Sequence, residues 1–278
     1  MQKMFLFIWL AMINVATALN TKDWMFRIPD KYSTTNISMP GTHESMSRYG
    51  GETTQCQNTS LTQQFDNGIR FVDIRCRHLN DELLIFHGPV PQRATFDDVL
   101  KATTEFLAAH PKEAVFMRVS EEYTPENNTK TFAQAVQIYV DRYPIGALYK
   151  GKGYPPMSEA RGKLVVLRDY GGPATFGLPY GDMDIEDQWQ IEDLSKEEIQ
   201  KKWNAVRGHL EKAQLGPTGT MYLTYSSGAG VFAWPDDVSE RLNKMLAGYL
   251  GDSKAKWGMI AMDFPNAKLI DMIIDSNV

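Results

Sequence analysis

The sequence predicts an α/β fold, a single irregular parallel (β/α) barrel of the TIM type, and three observations support this prediction. The chain has 278 residues, a length that α/β barrels often use as one domain. Short apolar runs alternate with segments of helical periodicity, and no repeat or linker divides them. Several of these runs end in a charged or histidine side chain, as barrel strands do when their carboxyl ends form an active site.

The apolar runs are the predicted strands, and a Pro-Gly turn at residues 40–41 is expected to end the first of them. In order, the runs are NISM, IRFVDIR, LLIFH, AVFMRVS, KLVVLRD, TMYLTYS and WGMIAMDF.

Helical patterns lie between many of these strands. Thr95 and Asp98 resemble a capping box, and apolar side chains follow at helical spacing. Ser195 is expected to begin another helix, with Glu198 as its capping carboxylate. Further helices are predicted over residues 130–142, 236–249 and 267–275.

Residues 1–18 have the pattern of a secretory signal peptide. Lys3 precedes an apolar run that ends at Val15, and Ala16-Thr17-Ala18 supplies the small residues of a cleavage site. The run is too short to span a bilayer as a helix, although a membrane anchor is the alternative interpretation. We therefore expect a secreted, extracellular protein whose single domain covers residues 19–278.

Charge and cysteine content narrow the class of protein. A formal net charge of −5 and an isoelectric point near 5.6 argue against a nucleic-acid partner. The two cysteines, Cys56 and Cys76, are expected to form one disulfide in a secreted chain, with two buried free thiols as the alternative. Two cysteines without further partners argue against a structural zinc site. We expect a monomer.

Three predicted strands are apolar and then finish with polar side chains. Because side chains alternate along a strand, Asp73 and Arg75 share a face, while His87 and Asp263 are each the last residue on theirs. His43, with Glu44 beside it, follows a fourth strand. The carboxyl ends of barrel strands meet at one mouth, so we expect these side chains to lie close together.

Two histidines and an arginine suit the cleavage of a phosphodiester by an internal hydroxyl. One imidazole accepts the proton of the attacking hydroxyl, the other protonates the leaving oxygen, and the guanidinium binds the phosphoryl oxygens. Neighbouring carboxylates would fix the histidine tautomers. The sequence has no nucleophile-elbow or glycine-rich phosphate motif. Two ordinary structural histidines are the alternative interpretation.

The segments ISMPGTHES, FDNGIRFVDIR and IFHGPV closely resemble the X-box core, here about residues 31–170, of bacterial-type phosphatidylinositol-specific phospholipase C. The resemblance continues through ARGKLVVLRDY, YLTYSSGAG and WGMIAMDF. It implies an imperfect β/α barrel that acts at the bilayer surface and needs no cofactor. The expected reaction cleaves the membrane phospholipid phosphatidylinositol, or glycosylated forms of it, to diacylglycerol and inositol 1,2-cyclic phosphate.

Catalytic roles follow from the resemblance by position. His43 matches the general base and His87 the general acid. Arg75 matches the arginine that stabilises the phosphoryl group, and Asp73 the aspartate that positions this arginine. Asp263 matches the carboxylate that supports the base.

Two further positions bear on catalysis. Glu44 stands where the family usually has aspartate, and this carboxylate is expected to support His87. Arg75 lies where calcium-using relatives have a carboxylate ligand, so the resemblance implies a metal-independent enzyme.

Head-group binding is less similar to the family pattern. Asp187 matches an inositol-binding aspartate, and Trp189 replaces a tyrosine that stacks on the sugar ring, with a core tryptophan as the alternative. Arg168 lies one residue from the matching basic position, which Asp169 occupies. Residues 120–121 stand where bacterial relatives have a lysine.

The loop SSGAGVFAWPDD contains candidate membrane contacts. The resemblance places Trp234 where relatives carry a rim tryptophan that enters the interface, and Phe232 lies beside it. Packing of both side chains onto the barrel is the alternative. Because the net charge is negative, apolar contact would have to supply the affinity for a membrane.

Two other functions remain open at this level. A catalytically weak lipid-head-group binding protein would explain Glu44 and the altered basic positions. Another barrel phosphodiesterase, such as a glycerophosphodiesterase, would need a set of metal-binding carboxylates near the first histidine.

Overall fold

The computed structural model describes residues 20–143 and 146–277. The predicted signal peptide lies outside the described residues. No described helix combines the length and the hydrophobicity that crossing a membrane requires.

Strands and helices alternate along most of the described chain. The strands are β1 Met39–Thr42, β2 Phe71–Leu79, β3 Glu82–His87, β4 Val90–Thr95, β5 Ala114–Glu121, β6 Lys163–Asp169, β7 Leu178–Pro179, β8 Asp184–Glu186, β9 Tyr222–Tyr225 and β10 Met259–Met262. The α-helices are α1 Leu61–Asp66, α2 Phe96–Ala109, α3 Phe132–Asp141, α4 Met157–Ala160, α5 Lys196–Leu215, α6 Pro235–Leu250 and α7 Ala267–Asp275. Short 3₁₀ helices cover Thr21–Arg27, Thr34–Asn36 and Tyr180–Asp182.

The sheet is a parallel barrel that is left open on one side. Its strands follow the order β7-β6-β5-β2-β1-β10-β9-β8, and every neighbouring pair in this order is parallel. Within the described ranges no ladder joins β7 to β8. The hairpin of β3 and β4 extends β2 in antiparallel fashion. This architecture agrees with the predicted irregular β/α barrel.

The predicted helices are present with nearly the predicted bounds. Thr95 and Asp98 form a reciprocal capping box at the start of α2, and the Ser195 side chain accepts a hydrogen bond from the Glu198 backbone at the start of α5. These caps satisfy amide groups that the first helical turn leaves unpaired. The short strands β4, β7 and β8 were not predicted, because their residues lack a sustained apolar pattern.

The first strand differs from its prediction. β1 begins at Met39, so Pro40 and Gly41 lie inside the strand and do not form the turn after it. Gly41 packs directly against Phe71 of β2, since a Cβ atom there would lie 2.7 Å from Phe71 Cδ1. The turn therefore starts at His43, and Glu44 adopts a left-handed conformation with φ of 42°.

The amino ends of the strands are closed by a buried ion pair. Arg70, just before β2, lies 2.7 Å from the carboxylate of Glu113, just before β5, and both side chains are fully buried. The Arg70 guanidinium also donates to the carbonyls of Thr21 and Lys22 in the first 3₁₀ helix. The open mouth is therefore at the carboxyl ends of the strands.

Candidate active site

A cavity of about 340 Å³ lies at the carboxyl ends of the strands. The predicted catalytic side chains that border it are His43, Arg75, His87 and Asp263. Residues from the loops after β1, β3, β8, β9 and β10 therefore meet around one space, as the strand-end pattern indicated. The polar residues that border it besides these four are Thr53, Cys56, Arg118, Glu122, Asp187 and Ser227.

His43 is held by a carboxylate. Its Nδ1 lies 2.8 Å from Oδ1 of Asp263, which is almost completely buried. Burial alone lowers the pKa of His43, but the charge of Asp263 and its hydrogen bond outweigh this and raise the pKa above the ordinary value. With Nδ1 used in this contact, Nε2 is the ring nitrogen left for a substrate proton.

His87 is held differently, by neutral groups. Its Nδ1 lies 2.7 Å from the carbonyl oxygen of Thr54 and 3.0 Å from the hydroxyl of Ser47. A carbonyl accepts only from a protonated Nδ1, so Nε2 is again the nitrogen available for chemistry. Neither Ser47 nor Thr54 was predicted, because loop residues that contribute a carbonyl leave no signal in side-chain type.

Glu44 contacts the arginine more closely than the histidine. Its Oε1 lies 3.0 Å from Nη1 of Arg75 and 3.9 Å from Nε2 of His87, and the second distance is too long for a hydrogen bond. Burial raises the pKa of Glu44, and the charges of Arg75 and His87 oppose this rise. Support of His87 by Glu44 would therefore act through charge at 3.9 Å and not through a hydrogen bond, and this role stays a prediction.

Arg75 lies between two carboxylates. Its Nη2 is 3.1 Å from Oδ2 of Asp73, and Asp73 also accepts from the backbone N–H of Glu44 at 3.2 Å. Although burial opposes the charged forms, the neighbouring charges lower the pKa of Asp73 and raise that of Arg75. Both groups are therefore charged, and the guanidinium is fixed in orientation at the edge of the cavity.

Arg118 is a residue of the site that the sequence analysis missed. It pairs in register with Asp73, and its Nη1 lies 3.1 Å from Oδ1 of Asp73. Its Nη2 lies 2.6 Å from Asp169, and the guanidinium stacks over the Tyr180 ring at 4.6 Å. A charged residue in the middle of the apolar run AVFMRVS was the signal that could have identified it.

Arg168, predicted to bind substrate, does not border the cavity. It alternates with Asp169 along β6, and its guanidinium donates to the carbonyl of Gly172 at 3.3 Å. Asp169 faces the mouth and pairs with Arg118. Because adjacent residues of a strand point to opposite faces, this position does not support the predicted role of Arg168 in substrate binding.

Asp187 and Trp189 border the cavity as predicted. The Trp189 side chain is 50% exposed, so it is not a core tryptophan. Burial of Asp187 raises the pKa of its carboxyl group through loss of hydration, and the charges of His43 and Lys202 oppose this rise. Lys202, buried in α5, donates to the carbonyl of Tyr225 at 2.7 Å and thereby ties this helix to the end of β9.

A larger groove of about 1230 Å³ joins the cavity at its rim. His87 and Trp189 border both spaces. Phe232 is 77% exposed and Trp234 is 37% exposed, and Val231 beside them is 81% exposed. The loop therefore does not pack these side chains fully onto the barrel, and the rim of the mouth carries an exposed apolar patch.

The predicted disulfide is absent from the described residues, and Cys56 and Cys76 are both buried free thiols. Cys76 alternates with Asp73 and Arg75 on β2, so its side chain belongs to the hydrophobic core. Cys56 borders the cavity instead, with its sulfur 4.0 Å from Nδ1 of His87. The sheet separates the two thiols, which excludes the pairing that the even count suggested.

Comparisons with known proteins agree with the predicted resemblance. Residues 40–170 match the family model described as phosphatidylinositol-specific phospholipase C, X domain. The chain is 28% identical to the 1-phosphatidylinositol phosphodiesterase of Listeria monocytogenes, covering 95% of this chain and 87% of that protein. It is 25% identical to the enzyme of the same name from Staphylococcus aureus strain Newman, covering 92% and 94%.

A solved structure shows the same fold. The phosphatidylinositol-specific phospholipase C from Listeria monocytogenes superposes with a TM-score of 0.81 and 24% identity, covering 94% of this chain and all of that one. The predicted fold class is confirmed, and the predicted family and enzyme class agree with those of these relatives. The roles of individual residues and the secreted location stay predictions.

Proposed function

We propose that the protein is a secreted enzyme that cleaves phosphatidylinositol, because residues 40–170 match the X-domain model of phosphatidylinositol-specific phospholipase C. The expected products are diacylglycerol and inositol 1,2-cyclic phosphate, and glycosylated phosphatidylinositol is a second candidate substrate. The observation that carries the proposal is the convergence of His43, His87 and Arg75 on one cavity. General base, general acid and phosphoryl clamp are the groups that this reaction requires.

The first chemical step forms a bond between the inositol 2-oxygen and phosphorus. His43 Nε2 accepts the proton of the 2-hydroxyl, and the imidazolium that results is stabilised by Asp263 at 2.8 Å. Arg75 donates to the phosphoryl oxygens as negative charge accumulates on them. Its contacts with Asp73 and Glu44 hold the guanidinium in place beforehand.

The bond between phosphorus and the diacylglycerol oxygen then breaks. His87, protonated at the start, gives the Nε2 proton to this leaving oxygen. The Thr54 carbonyl keeps Nδ1 protonated and fixes the ring orientation. The groove that begins at His87 lies on the side where the lipid part of the substrate would leave.

Arg75 supports a reaction without a metal ion. Its guanidinium occupies the mouth of the cavity beside Asp73 and Glu44, and a permanent positive charge there opposes the binding of calcium. Of the carboxylates near His43, those of Asp73 and Glu44 contact Arg75, and that of Asp263 contacts His43 itself. No observation therefore favours the glycerophosphodiesterase alternative, and the complete set of acid, base and clamp disfavours an inactive binding module.

Head-group recognition is assigned to the other side of the cavity. Trp189 offers a half-exposed ring for stacking on a sugar, and Asp187 offers a carboxylate for its hydroxyl groups. Arg118 also borders the cavity, and it is the basic residue that we assign to this recognition in place of Arg168.

The decisive experiment follows the phosphorus resonances of phosphatidylinositol vesicles mixed with purified protein in the presence of a chelator. We expect a cyclic inositol phosphate resonance to replace that of the lipid. Binding to vesicles without cleavage would favour the binding module, and release of an open-chain phosphate as first product would contradict the internal-hydroxyl mechanism.

A further inference from the structure

Cys56 places a thiol inside the catalytic mouth, where the proposed reaction has no use for one. The residue is fully buried from bulk solvent but borders the cavity. A ring nitrogen of His43, the Cys56 sulfur and an oxygen of Asp263 all lie within 4.8 Å of one another. Three different metal-binding groups therefore converge on one wall.

The chemistry of these three groups selects a particular kind of ion. Thiolate, imidazole and carboxylate are the ligands of Zn²⁺, which open sites bind through three protein groups and one water. Calcium and magnesium prefer sets made only of oxygen. From this arrangement we propose that His43, Cys56 and Asp263 bind a borderline-soft divalent cation, Zn²⁺ or its spectroscopic substitute Co²⁺, and that the bound ion inhibits the enzyme.

Binding requires small shifts and the loss of one proton. Metal–ligand distances of about 2.0–2.3 Å place ligand atoms closer together than 4.8 Å, so the side chains must draw inward around the ion. The thiol releases its proton to water as the metal–sulfur bond forms. The carboxylates of Glu122, Asp187 and Asp263 border the cavity and offset the positive charges of Arg75 and Arg118.

Inhibition follows from the identity of the ligands. This part of the proposal rests on the proposed function. A bound ion occupies the lone pair of His43, which then cannot accept the proton of the attacking hydroxyl. It also draws Asp263 away from the imidazole that this carboxylate supports. The metal site itself does not depend on what the enzyme cleaves.

The test uses the metal-free protein and titrates Co²⁺ while recording the absorption spectrum. A cobalt–thiolate bond gives a charge-transfer band in the near ultraviolet that nitrogen and oxygen ligands do not give. Cys56→Ser and Cys56→Ala remove the ligand, and Cys76→Ala removes the only other thiol of the chain from the far side of the sheet. Circular dichroism verifies that each variant is folded.

We expect the band in the unaltered protein and in Cys76→Ala, and its loss in both Cys56 variants. Zn²⁺ affinity and Zn²⁺ inhibition should fall by at least about tenfold in the Cys56 variants, since even outer-sphere partners contribute that much.

Absence of the band from the unaltered protein would overturn the proposal, as would its survival in Cys56→Ser or its loss in Cys76→Ala. If the protein cleaves no phosphatidylinositol, the cobalt spectrum still decides the metal site. Failure of the proposed activity and failure of this site are therefore distinguishable.

Discussion

The Nδ1 atom of His43 lies 2.8 Å from Oδ1 of Asp263, although 220 residues separate the two in the sequence. The cause is the pairing of β1 with β10, which are parallel and aligned with Thr42 opposite Met262. The next residue of each strand is then His43 on one side and Asp263 on the other. Two strand ends in register thus create the proposed base and its supporting carboxylate.

Replacing Asp263 by asparagine should shift the pH profile. The carboxylate raises the pKa of His43, and the base works in its neutral form, so activity is lost as pH falls through that pKa. In Asp263→Asn the pKa of His43 falls, and the acidic limb of kcat/KM should move to lower pH. The plateau should drop on the order of 10²-fold, because the orientation of the ring is no longer fixed. If the acidic limb stays at the same pH in Asp263→Asn, Asp263 does not support His43 as the base.

Removing either catalytic histidine should abolish most of the cleavage. A general acid or base typically contributes about 10²–10⁴-fold, so we expect losses in this range for His43→Ala and His87→Ala in folded protein. His110→Ala is the matched control, because this histidine pairs with Asp23 outside the cavity and should leave turnover nearly unchanged. Normal turnover in either site variant, measured on vesicles, would rule out its assigned role.

Activity should survive chelation, and Arg75→Lys should not restore the function of Arg75. The lysine keeps the charge but loses the planar set of donors that contacts Asp73, Glu44 and the phosphoryl group together. We expect kcat to fall by about 10²-fold or more, by analogy with the loss of other transition-state donors. Strong inhibition by a chelator that calcium reverses would contradict the metal-independent mechanism.

Replacing Arg118 by methionine should lower activity and stability much more than replacing Arg168 by methionine. Arg118→Met leaves Asp169 without its arginine and leaves Asp73 with Arg75 alone, so both kcat/KM and the free energy of unfolding should decrease. Loss of one partner from a buried pair typically costs about 3–5 kcal/mol. Arg168→Met should change neither kcat/KM nor the free energy of unfolding by much. Kinetics and urea unfolding of both variants measure this, and equal effects would refute the reassignment.

The exposed aromatic side chains at the rim should govern binding to membranes. Burying one aromatic side chain contributes about 1.5–3 kcal/mol, so Phe232→Ala or Trp234→Ala should weaken vesicle binding by about tenfold or more. Hydrolysis of soluble inositol 1,2-cyclic phosphate should be spared. Phe26→Ala is the control, since Phe26 is 67% exposed in the amino-terminal 3₁₀ helix and away from the mouth. Equal losses on vesicles and on the soluble substrate would assign the aromatic residues to the fold instead.

Local patterns in the sequence were sufficient for most of the elements. The capping pairs at Thr95 and Ser195 and the apolar periodicity after them predict α2 and α5, because both signals act within a few residues. β1 was misplaced because a Pro-Gly pair usually marks a turn, whereas here the close approach of Gly41 to Phe71 keeps it in a central strand. Arg118 was overlooked because its partners lie on two other strands.

Because alternation along a strand is a local property, the sequence alone was sufficient to predict which residues stand at strand ends and which of them share a face. Which of these residues are partners depends on how the strands pack together. The register of β1 with β10 joins Asp263 to His43, and the left-handed turn at Glu44 brings its carboxylate to Arg75 while His87 stays at 3.9 Å. The tertiary structure also places Cys56 in the mouth and Cys76 in the core. Such distances depend on how segments far apart in the chain pack together, which no local pattern encodes.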